Sequence, residues 1–486
     1  MRRRIWPVKI SAFLAVATFA VASAVRTNRA EAPSPPTPLR IIFYDLSYAL
    51  DYDRGLVSGE ARLTIQNPTT TPGAKIPFVL YRLFKVDKIL DAAGKPLAYV
   101  QRVLPFEDWK EFQANFLEVD LPIPAQGRTE LTIFFGGPLL GNTESGMQYV
   151  KDRVDKAFTI LRSDCLAYPE IGWPSWKERR SLGMPQFDYR LRVDVPTGLF
   201  VANGGDFVEK TESAGRTTFV YRNIKPAWRI DAAIAPYKTV EDGATKSRIF
   251  FLPGDEAGAR NVAVALRETL ALLSRWFGPA SAFRGFSIIE VPEGFGSQAD
   301  VTSILQTRDA FVDAAKLPQL YHEISHLWSV PARDPLPARL ESEGLAMFLQ
   351  YAVQESREGK AGALKEGAER CRKRFAEACG KNAKAAGTPI IDFGKSGLTD
   401  LSYNKGMLYF YMLDKLAGRD RFLSAWADFY RRYGQKGATT AEFLGRMDET
   451  LGIDLARLNA DWIFGTKASD LLLSSASFDE IAASYR

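Results

Sequence analysis

The chain has 486 residues, 46% of them hydrophobic, 25% charged and 12% aromatic, which excludes a disordered chain, a coiled coil or a collagen-like fibre. A chain this long has room for roughly two to four domains, each able to bury a core. The net charge of +6 sits almost wholly in residues 1–32, where six basic residues oppose one acidic residue; the rest is nearly neutral, so nucleic acid is not an expected partner.

In chain order, Met1–Lys9 is basic and Ile10–Val25 is a 16-residue apolar run. Small-residue sites follow at Ala22-Ser23-Ala24 and Ala30-Glu31-Ala32. Residues 1–32 therefore read as an export signal, or as an N-terminal anchor if uncleaved. Membrane association is expected only through that segment, and the location is exported: periplasm, cell envelope or secreted. A Pro-rich linker covers 33–38. Alternation then dominates, as in Ala61, Leu63 and Ile65, in Leu117, Val119 and Leu121, and in Leu191, Val193 and Val195. Turn signals between these runs make 39–245 an N-terminal β-sandwich-like domain.

The period changes near residue 255. Val262, Leu266, Leu270, Leu273 and Phe277 fall at helical spacing, and Gly278-Pro279 stops that helix. A strand is expected at Phe286–Val291. Helices are expected at 318–329, 338–356, 361–380, 403–416, 419–433, 440–451 and 455–463. These elements make 246–466 a second, mostly helical α+β domain, and 467–486 a C-terminal tail. Cys165, Cys371 and Cys379 do not form a disulfide framework. Cys371 and Cys379 pair only if the chain turns between them, because eight residues of straight helix span about 12 Å.

The chain has only two histidines, and they lie four apart in Tyr321-His322-Glu323-Ile324-Ser325-His326-Leu327-Trp328. Four residues on a helix bring both imidazoles to one face, one turn apart, so both reach one tetrahedral zinc. Glu323, beside the first histidine, then faces the attacking water as general base. A catalytic zinc site needs a third protein ligand, and Glu341 and Glu343 are the candidates on the following helix. Residues two apart there face opposite ways, so only one ligates and the other is expected to be a solvated helix charge. Spacing alone does not choose between them.

The choice comes from a resemblance. Glu343-Gly344-Leu345-Ala346 resembles the Glu-Gly-Phe-Ala step that supplies the third ligand in the aminopeptidase N family of zinc metallopeptidases, the gluzincin clan of membrane alanyl aminopeptidases and leukotriene hydrolase. The resemblance implies that His322, His326 and Glu343 hold one Zn2+ per chain. Sixteen residues separate His326 from Glu343, a shorter connection than the family's usual one, and the Pro-rich stretch 332–338 absorbs the difference. Ser402-Tyr403-Asn404-Lys405-Gly406 resembles the family's Tyr-x-Lys-Gly segment, which makes Tyr403 the expected oxyanion stabiliser. Ser297-Gln298-Ala299-Asp300-Val301 falls where the family has Gly-Ala-Met-Glu-Asn, with Gly and Met lost. By that alignment Asp300 is expected to hold the substrate's free amine, with Gln298 and Ser297 as neighbouring substrate contacts.

The similarity runs over about 39–466 and includes the hairpin of Tyr44–Tyr48 with Val57–Glu60 and the strand Phe187–Gly198. It implies a β-sandwich followed by a thermolysin-like, mostly helical zinc peptidase domain, the short form without the family's C-terminal helical domain. The implied function is an exported zinc metallopeptidase hydrolysing peptides, an aminopeptidase. Two alternatives stay open. His326–Val330 also resembles the glycyl aminopeptidase family, so the first is a hydrolase of that neighbouring type or an endo-acting zinc peptidase. A non-catalytic envelope binding module would keep the fold without turnover.

Overall fold

A computed structural model describes residues 38–181, 185–280 and 285–486; the leader and nearly all of the linker lie outside these. The alternating segments form strands, because alternation puts one apolar face on a core. A seven-stranded sheet runs Asp206–Ser213, Arg216–Arg222, Asp188–Pro196, Arg40–Asp51, Leu56–Gln66, Arg128–Pro138 and Lys85–Asp91 from edge to edge. Its centre is the expected hairpin, with Tyr44 opposite Leu63 and Leu46 opposite Ala61. A four-stranded sheet of Tyr99–Phe106, Trp109–Val119, Ile76–Tyr81 and Glu170–Ile171 shares its core, which includes Leu46, Leu63 and Leu191 from one sheet and Phe78, Leu80 and Leu117 from the other.

A three-stranded sheet (Phe200–Ala202, Ala232–Ala235, Thr159–Leu161) meets a five-stranded mixed sheet through Ile160, Ala233, Phe250, Ile289 and Leu305. The mixed sheet runs Lys238–Asp242, Ser247–Phe251, Ser287–Val291, Ser303–Thr307 and Gln298–Ala299. Its first strand precedes residue 245, so the all-β stretch yields to the second sheet slightly earlier than the alternation suggested. Gln298–Ala299 is an edge strand, antiparallel to Ser303–Thr307.

The helical part follows its predicted periods closely: Glu256–Phe277, Leu317–Ser325, Leu345–Glu358, Ala363–Lys381, Gly406–Ala417, Arg419–Tyr433 and Thr440–Leu451. Two wider π-turns, Leu340–Gly344 and Leu401–Lys405, precede the helices that continue from them. Residues 467–486, expected as a tail, carry the short helices Lys467–Leu473 and Phe478–Ala483. Phe478 and Ile481 are buried, and Arg372 donates to the carbonyls of Leu472, Ser474 and Ala476. All three cysteines are free; Cys371 and Cys379 lie on the single helix Ala363–Lys381, which holds them apart. Among the described residues no helix is long and apolar enough to cross a membrane.

Candidate metal centre and cleft

The histidine helix, Leu317–Ser325, is buried along almost its whole length, with Pro318 in its first turn. Ser325 donates back to the Tyr321 carbonyl at 2.7 Å, and the helix tightens to a 3-10 turn at His326–Trp328. Trp328 anchors that turn by donating to the Gly278 carbonyl at 2.9 Å. The two imidazoles lie edge to face with centroids 4.9 Å apart.

Glu343 comes from the first π-turn and Tyr403 from the second. These turns touch backbone to backbone at Gly344 and Gly406: a Cβ on Gly344 would lie 3.0 Å from the Gly406 carbonyl carbon and 3.1 Å from the Ser402 oxygen. The Glu-Gly and Lys-Gly pairs therefore set how closely the two side chains can converge. Lys405 is buried and donates to Ser469 at 3.2 Å, so the C-terminal helices help hold the second turn.

Nε2 of His322 lies 3.3 Å and Nε2 of His326 3.7 Å from Oε2 of Glu343. Donors bound at 2.0–2.1 Å around a tetrahedral zinc would sit about 3.3 Å apart, so the spacing suits that ion. Oε2 of Glu343 is buried without a hydrogen-bond partner, which also suits a site completed by a cation. One ligand atom from each of the three residues lies within 4.8 Å of the others. Burial alone would raise the Glu343 carboxyl, but the Arg339 guanidinium and the two imidazoles hold it well below the usual range. Burial pulls His326 down to about 4, keeping the imidazole neutral at neutral pH, with one ring nitrogen free to coordinate.

Glu323 is buried beside this set. Desolvation pushes its carboxyl up to about 7, partly offset by His322 and by a hydrogen bond from the Ala299 amide on the edge strand. That bond ties the histidine helix to the sheet edge. The Tyr403 ring lies parallel to His322 at 6.1 Å between centroids, and burial pushes its phenol above its ordinary value. His322, Glu323, His326, Glu343 and Tyr403 thus converge.

Glu341 corrects the expectation of a solvated charge. It is 6% exposed, its carboxyl is pushed up to about 7 by burial, and it faces Thr440 and Asp334. The π-turn rolls it into the helical core while Glu343 rolls toward the histidines.

The edge-strand residues divide. The Ser297 hydroxyl accepts from the Thr307 amide at 3.1 Å and from Gln306 at 3.2 Å, so it ties neighbouring strand ends together. Gln298 donates to Asp164 at 3.0 Å. Asp300 is 9% exposed, with Oδ1 unpartnered; burial pushes its carboxyl up to about 7, against backbone hydrogen bonds from Val301 and Trp228. Behind the strand lies a buried ion network: Arg229 bonds Asp231 and Asp164, and Arg162 bonds Asp152. Asp164 and Arg229 carry no period or motif and reach the site only through long-range contacts, whereas Arg339 meets Glu343 four residues on and Tyr403 across the fold.

No protein-family model matches the sequence, and no curated protein sequence does. Solved structures do match. An M1 zinc metallopeptidase from Deinococcus radiodurans, as a mutant bound to a Tyr-Ser-Ala substrate, is similar at TM-score 0.65 and 17% identity, over 88% of this chain and 94% of that one. The same bacterium's M1 zinc metallopeptidase without that substrate gives 0.62 and 17%, over 90% and 93%. A two-domain M1 zinc metallopeptidase mutant bound to L-arginine gives 0.62 and 17%, over 91% and 95%. At this identity the likeness establishes the fold: a sheet-rich N-terminal domain followed by a helical domain, as in two-domain M1 peptidases.

Proposed function

We propose that this chain is an exported zinc-dependent peptide hydrolase that trims peptides from a free N-terminus. The observation that carries this is the convergence of two imidazoles and one carboxylate at zinc spacing, with a buried glutamate and a half-buried tyrosine beside them. Bound there by His322, His326 and Glu343, zinc would supply Lewis acidity, lowering the pKa of a water and polarising a carbonyl. Glu323, with its carboxyl raised to about 7, would take the water's proton and pass it to the leaving amine. Tyr403 would donate a hydrogen bond from its hydroxyl to the carbonyl oxygen as negative charge develops, keeping its proton. The edge strand Gln298–Ala299 lies beside the histidine helix, where an extended peptide could add as a further strand. Asp300, whose buried Oδ1 has no hydrogen-bond partner, supports a preference for a free amine terminus that would pair with it. The M1 peptidases of the same fold support the same chemistry, one of them with a Tyr-Ser-Ala substrate bound. Export rests on the basic-then-apolar leader, and N-terminal sequencing of the mature protein tests it.

The deciding experiment is Glu323→Gln assayed on a peptide library with zinc content measured in parallel. The amide keeps the shape but cannot accept a proton, so zinc should stay and turnover should vanish. Near-normal turnover in that variant would remove Glu323 from the mechanism. A wild type that holds zinc yet cleaves no peptide would make the protein a binding module.

A further inference from the structure

Arg339 has no place in the chemistry described so far, yet it touches two of its residues. It closes the Pro-rich connection and adopts a left-handed backbone, φ 57°, immediately before the π-turn that presents Glu343. A side chain with a Cβ is strained there, and the surroundings must hold it. Its carbonyl accepts from the Glu343 amide at 2.9 Å, and its guanidinium donates to Oε1 of Glu343. The same guanidinium lies 5.8 Å over the Tyr403 ring and 5.9 Å over the Phe393 ring.

A fixed positive charge beside a divalent-cation site is unfavourable by Coulomb's law. By that effect alone, removing Arg339 should tighten metal binding. The geometry gives it the opposite role. With Oε1 held by the guanidinium, only Oε2 is left facing both imidazoles, at 3.3 and 3.7 Å. A carboxylate without that restraint can rotate and offer both oxygens, or turn away to water. The planar fork of arginine also reaches Glu343 and Tyr403 together, which a lysine's point charge cannot do equally well.

We infer that Arg339 is a positioning residue: its guanidinium makes Glu343 a one-oxygen metal ligand and fixes Tyr403 beside it. This rests on the zinc reading above, and the two fail differently.

The test measures the zinc dissociation constant of the full chain by chelator competition, for wild type, Arg339→Met, Arg339→Lys and Arg339→Gly. The glycine variant accepts the left-handed backbone, so it removes the side chain while easing the local strain. Outer partners of metal ligands are worth about 10–100-fold in affinity, so Met and Gly should weaken zinc by that factor and Lys should restore part of it. In the cobalt-substituted protein, the visible absorption of Met and Gly should change from wild type as the carboxylate gains a second free oxygen. Unchanged or tighter zinc in both Met and Gly variants would overturn the inference and leave Arg339 as a like charge only. A wild type that binds no zinc would overturn the metal site itself, and this inference with it.

Discussion

Asp300→Asn should change how stability depends on pH. In the fold Asp300 is nearly enclosed, and burial lifts its carboxyl from an ordinary 3.8 to about 7. Between those two values the folded protein keeps a proton that the unfolded chain has released. Stability therefore falls as pH rises through that window, and the cost is complete above about pH 7. A shift of that size is worth at most about 4 kcal/mol, and relaxation with water entry leaves an expected ~2 kcal/mol. Asparagine cannot ionise. Its NH2 can occupy the place of the unpartnered Oδ1, while the remaining oxygen keeps the backbone donors. Measured by urea unfolding in chelator, which keeps metal binding out of the comparison, the variant should gain about 2 kcal/mol on wild type between pH 4 and pH 8. Glu290, Glu323 and Glu341 are also buried and raised, so wild type alone would not isolate Asp300, but the difference between the proteins does. Equal pH dependence in the two would refute the buried, proton-holding Asp300 argued here.

The remaining predictions concern the cleft. His326→Ala should take bound zinc from about one per chain to near zero by elemental analysis, since no other histidine can replace it. Tyr403→Phe should keep zinc and lower kcat roughly 100-fold with KM little changed, the pattern of a group needed mainly in the transition state. Acetylating a peptide's N-terminus should slow its cleavage, but by less than the roughly 100-fold of a fully buried charge pair. No effect of acetylation on either wild type or Asp300→Asn would point to an endopeptidase.

Much of the fold was legible because it is written in local periods. Steps of two along Ala61, Leu63 and Ile65 and steps of three and four along Val262 to Phe277 became a strand and a helix that each bury one face. The two histidines were legible for the same reason: four residues is about one helical turn, whatever the helix packs against. The breaks in period were the weak points. The π-turns before Leu345 and Gly406 read as ordinary helix starts, and they meet at Gly344 and Gly406, residues 62 apart in the chain, a contact no local period reports.

Sequence by itself determined which groups meet at the histidine helix: two imidazoles on one face and a carboxylate next to the first. Tertiary structure alone decided the rest. It sent Glu341 inward to Thr440 and Glu343 toward the metal centre, a choice that spacing left open. It enclosed Asp300 behind the edge strand, next to the buried charges of Asp231 and Arg229. It also set Arg339, already four residues from Glu343, over the ring of Tyr403. The physical reason is range: helix and strand periods act over a few residues, whereas burial and charge depend on neighbours that only the folded chain brings together.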